Sequence, residues 1–129
     1  MNHEALHTYL AEQSQIPSRL GSVDCVTFVT GAVKAGWDRD YFNVLEYSDR
    51  RSAVRQLRAT GGLLESARIA LGPECAIDDL PAGSVAYMDV PHPTLGLVMD
   101  NWVLIKMPSY IARIEKSDDL VGWRTDGGT

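Results

Sequence analysis

The chain has 129 residues, 45% of them hydrophobic and 22% charged, with a net charge of −5 from 12 basic and 17 acidic side chains. One domain of roughly 100–200 residues accounts for that length, and the composition excludes a disordered chain, a collagen or a coiled coil. The acidic balance argues against a general grip on nucleic acid, since phosphate binding needs a basic face.

Apolar runs are only a few residues long, as at residues 102–105, so no membrane span is expected. The opening residues are charged and lack a long apolar stretch, and read as no secretory leader. Cys25 and Cys75 are too few for a disulfide scaffold, and neither belongs to a CxxC pair, so no structural zinc site is expected.

In chain order, residues 3–14 place Leu6, Tyr9, Leu10 and Gln13 on one face at helical spacing. Pro17 and Gly21 break the chain. A second helix opens near residues 22–24, where Ser22 or Asp24 can cap it, and runs to about Ala35. Gly36 is placed to end it in a left-handed turn. Cys25, Phe28, Val29, Ala32 and Val33 share its inward face. A third helix is expected from Ser48 and Asp49 to Gly61 and Gly62, with Ala53, Val54 and Leu57 inward and Arg50, Arg51, Arg55 and Arg58 mostly outward. A short fourth helix over residues 63–71 ends at Gly72 and Pro73.

From Gly83 the pattern turns to β: residues 85–88, 95–99, 102–107, 110–114 and 120–124. Asp100 and Asn101, two residues that tolerate positive φ, signal a tight hairpin between the second and third of these. Helices first and antiparallel strands second is an α+β arrangement in a single domain, with residues 125–129 expected to fray.

Cys25 falls in the first turn of a helix, where free N–H groups and the helix dipole stabilise a thiolate. It also belongs to the inward stripe, and a buried cysteine usually acts as a small apolar residue. A cysteine nucleophile needs a base, most often histidine. His3 and His7 sit four apart on a helix face with no third metal ligand nearby, and read as solvated. His92, between Pro91 and Pro93, is the only histidine of the β half and reads first as an exposed loop side chain. The arginines of residues 50–58 accompany no glycine-rich loop, Asp78 and Asp79 suit a solvated turn, and Trp37, Trp102 and Trp123 read as core or interface anchors. No cofactor motif is present.

The order of features carries more than any one of them. Gly21-Ser22-Val23-Asp24-Cys25 opens a helix, and Leu80-Pro81-Ala82-Gly83-Ser84-Val85-Ala86-Tyr87-Met88 leads a strand. Leu95-Gly96-Leu97-Val98 follows and turns back. This pattern resembles the NlpC-type branch of the papain-like cysteine peptidases, which cleave peptide bonds in bacterial cell walls. It is most similar to a small phage and prophage branch, through Tyr47-Ser48-Asp49-Arg50-Arg51-Ser52-Ala53 and the following Gly61-Gly62, over about residues 5–125.

The resemblance implies a papain-like fold, N-terminal helices packed on a C-terminal antiparallel sheet, with Cys25 at the nucleophile position facing the sheet. The family's base position falls on Thr94, and its orienting position on Lys106. Threonine is no general base at neutral pH, and an ammonium cannot accept a hydrogen bond from an imidazole. His92, two residues before Thr94, is the one substitute base, although the flanking prolines disfavour a regular strand there.

The reading that follows is a non-catalytic structural or assembly domain of a tailed-phage tail tip. It would be made in the host cytoplasm and carried in the virion tail, with hub or tip proteins as partners. The rival is a cysteine peptidase or amidase acting on peptidoglycan with Cys25 and His92. A third reading is a small-molecule or peptide binder using the vestigial groove.

Overall fold

A computed structural model of the chain describes residues 1–17, 25–39, 61–89 and 93–125. Among them are three helices, α1 (His3–Ser14), α2 (Cys25–Trp37) and α3 (Leu63–Leu71), and a six-stranded antiparallel sheet. The strands are β1 (Cys75–Ala76), β2 (Val85–Met88), β3 (Thr94–Val98), β4 (Trp102–Lys106), β5 (Ile111–Glu115) and β6 (Val121–Trp123). The architecture is α+β, as the sequence pattern implies. The helix expected from Ser48 and Asp49, with its arginines, lies outside the described residues up to residue 60, as do Ser22, Asp24 and Gly21, while its expected stop at Gly61 and Gly62 is described, both with positive φ.

The sheet order is β1-β6-β2-β3-β4-β5. β2 to β5 form a meander of sequential neighbours, and β6 returns to pair with β2 on its other side. The β3–β4 hairpin closes through Met99 N–H donating to Trp102 O at 2.8 Å. Its two loop residues are Asp100 and Asn101, yet neither has positive φ, so the turn is not the mirror-image type their identities suggested.

Side chains alternate across the sheet with a period of two. Val85, Leu95, Leu97 and Leu104 point to one face and join Leu6, Phe28, Val29, Ala32, Val33 and Ala67 of the helices in the main core. Ala86, Met88, Val98, Val103 and Ile105 point to the opposite face, where Ile77, Leu80 and Leu120 pack with them. A sheet apolar on both faces gives β3 burial at every position, which is why residues 95–98 carry no polar side chain and only Thr94 interrupts the pattern.

α2 lies on β3 and β4 and packs against α1. Asn2 caps α1 by accepting from Ala5 N–H at 3.0 Å, and its own N–H donates to Gly36 O at 2.6 Å. Tyr9 stacks on Phe28 with ring centroids 6.1 Å apart, and its hydroxyl donates to Phe28 O at 2.9 Å. A Cβ on Gly31 would fall 2.7 Å from Tyr9 Cζ, so only glycine admits this ring.

Three expectations are corrected. Gly36 does not terminate α2: it is helical and buried against Leu6, and the left-handed residue is Asp38, at φ 56°. Asp38 tolerates that conformation and sits where the exposed Lys34 ammonium bonds its carboxylate at 2.9 Å. The sequence pattern places Cys75, after Gly72 and Pro73, in no element, yet it lies on the edge strand β1, opposite Gly122. Thr125 does not fray: it is buried, and its hydroxyl donates to Gly83 O at 2.6 Å. Residues 126–129 lie outside the described residues.

Candidate functional site

Cys25 is the first residue of α2. It is half-buried and packs against the core between the helices and the sheet. Tyr9 braces the next turn through Phe28 O, and burial holds its phenol far above the usual tyrosine range. Cys75 stands exposed on β1, and neither cysteine forms a disulfide.

The sheet register decides how Thr94 and Lys106, the other two positions singled out by the resemblance, are disposed. Thr94 pairs with Met88, and it shares the alternation of Gly96 and Val98. A Cβ on Gly96 would meet Val103 and Ile105, both on the face away from the helices. Thr94, buried, therefore also points away from α2. Lys106 has the alternation of Leu104 and pairs with Ile111, both of which contact the helix-side core. Thr94 and Lys106 thus lie on opposite faces and do not converge on one thiol.

Lys106 is buried at 6% exposure, and its Nζ donates to Met107 O at 2.9 Å. Burial lowers its pKa from the ordinary lysine value, and no carboxylate among the described residues pairs with it. Tyr87, half-buried on the same face, gives its hydroxyl proton to Asp89 Oδ1 at 3.2 Å. Burial, then the Asp89 hydrogen bond and charge, raise its pKa.

Of the sequence-derived candidates, His92 lies outside the described residues. His3 and His7 are exposed on α1, and no group of three or more His, Cys, Asp or Glu side chains able to hold a metal occurs among the described residues. Asp78 and Asp79 are exposed in a 3₁₀ turn, as expected of solvated residues. Trp123 is a core residue whose Nε1–H donates to Gly72 O at 2.8 Å. Trp102 carries the Arg113 guanidinium 5.1 Å from its ring centroid. What the sequence reading missed is the facing of the two strand positions. An alternation count anchored on Leu95 and Leu97 as helix-facing residues would have revealed it.

The family model described as Domain of unknown function (DUF6950) matches residues 2–125, nearly the whole chain. The chain belongs to this family. No curated protein and no solved structure matches it significantly. The matched span takes in every described helix and strand, Cys25, Thr94 and Lys106 included. No helix among the described residues is long and apolar enough to cross a membrane.

Proposed function

We propose that this domain is a papain-like, NlpC-type fold without peptidase machinery, acting by association as a structural or assembly component of a tailed-phage tail tip. The observation that carries the non-catalytic reading is Lys106. On the helix-facing side of the sheet, where an imidazole would need an acceptor, stands a buried ammonium that only donates and already bonds Met107 O. The position aligned with the base, Thr94, turns to the other face. A thiol at a helix N-terminus can still ionise, but peptide cleavage also needs a proton donor for the leaving amine. Hub or tip proteins are the proposed partners and the virion tail the proposed location, both resting on the sequence resemblance.

Incubating the purified protein with peptidoglycan and analysing released muropeptides by mass spectrometry tests the catalytic half. No release is expected. Release abolished by both Cys25→Ala and His92→Ala would replace this reading with a wall-cleaving cysteine peptidase or amidase. Cross-linking on purified particles tests the other half, and a protein absent from the tail, or free of tail contacts, ends the tail-tip reading.

A further inference from the structure

β5 is an outer strand of the sheet, and the hydrogen-bond pattern shows which of its backbone groups face outward. Met107 N–H donates to Tyr110 O at 2.8 Å, closing the β4–β5 hairpin. Antiparallel ladders alternate bonded and non-bonded pairs. Ala112 and Ile114 therefore direct their N–H and C=O groups to β4, opposite Ile105 and Val103. Ile111, Arg113 and Glu115 direct theirs to the open edge. None of these outward groups has a hydrogen-bond partner among the described residues. Arg113 and Glu115 are exposed, and so is Ile114, at 36%.

Such an edge is a template for another strand unless something prevents it. Its charges select the strand. In a two-fold antiparallel pairing centred on Arg113, the two arginines would face each other, which is unfavourable. Shifting the centre to Ile114 places Arg113 opposite Glu115 of the second copy, twice by symmetry. It also brings the two exposed Ile114 side chains together and uses only outward backbone groups for the ladder. Arg113 and Glu115 share the helix-side face, and Trp102, opposite Glu115 on β4, holds the guanidinium there.

We propose that β5 pairs with β5 of a second copy of this chain, antiparallel, with the two-fold axis at Ile114 and reciprocal Arg113–Glu115 ion pairs. The two sheets then run on as one. A strand of five residues is about 17 Å long, and its interface falls below standard size, so the association is weak and reversible. It holds whether or not the domain is carried in a virion.

Sedimentation velocity of the full chain across a range of concentrations reads this directly, with circular dichroism confirming that each variant folds. The wild-type mass should climb from monomer towards dimer. Arg113→Glu and Glu115→Arg, each alone, set like charges opposite each other and should raise the dissociation constant roughly tenfold or more. The double variant Arg113→Glu/Glu115→Arg should restore the dimer, because this register re-pairs the swapped charges, whereas the Arg113-centred register would still oppose like charges. A monomer at every concentration, a dimer indifferent to both single changes, or a double variant that stays monomeric overturns the proposal.

Discussion

Gly83, in the turn before β2, packs against Trp37 at the end of α2, and substituting alanine there should cost more than its backbone conformation explains. Its φ is +94°, a region that alanine adopts only with strain of about 1–3 kcal/mol. A Cβ would also stand 2.7 Å from Trp37 Nε1, inside van der Waals contact, at the end of α2. Such overpacking typically adds about 1–3 kcal/mol. Gly72 supplies the control: its φ is +89°, and a Cβ there meets nothing within 4 Å. Urea unfolding should therefore show Gly83→Ala destabilising by about 2–6 kcal/mol and Gly72→Ala by about 1–3 kcal/mol, with Gly83→Ala the more costly of the two. In a Trp37→Leu background the cost of Gly83→Ala should fall towards that of Gly72→Ala, a coupling that a double-mutant cycle isolates. Equal costs for the two glycines, or strict additivity with Trp37→Leu, would refute the argument that the indole limits this site.

Two further outcomes follow from polar groups. Ser84 is fully buried, and its hydroxyl has no partner among the described residues, so Ser84→Ala should raise stability by about 1 kcal/mol in the same urea titration. Glu74 bonds Arg68, which also bonds Glu65, and the Arg68 hydrogen bond lowers the Glu74 pKa from 4.5 to about 2. A carboxylate depressed in the folded state contributes stability that is present above the unfolded pKa and lost as pH falls. Thermal melts should accordingly decline from pH 4.5 towards 2, and Glu74→Gln should flatten that decline; an unchanged slope counts against it.

Much of the fold was legible because short-range signals agreed. The apolar spacing of Leu6, Tyr9 and Leu10 and the Gly72-Pro73 stop bounded α1 and α3 where the structure has them. Gly36 misled because glycine serves two needs. Here it permits close approach to Leu6, and an aspartate takes the left-handed turn. β1 escaped notice because two exposed residues have no periodicity, and only pairing with β6 makes them a strand. The second core was invisible for a similar reason. Ile77, Leu80 and Leu120 sit in turns, and what they cover depends on how the sheet is placed. At the site, the cysteine position was readable from its helix. The disposition of Thr94 and Lys106 depended on facing across two strands, which motif alignment does not carry.

The place of β6 has a consequence for how the chain acquires its structure during synthesis. β2 to β5 can assemble as soon as each hairpin leaves the ribosome, since β3, β4 and β5 each pair with the strand made just before. β1 is made before all of them, but among the described strands it pairs only with β6. It must wait while some 45 residues emerge, a loop-closure delay that slows its docking. The same late arrival brings Trp123 to Gly72 O and Thr125 to Gly83 O. The nascent meander therefore exposes the β2 edge until residues 121–125 cover it, and that interval is when this domain is most open to chaperones and to mispairing.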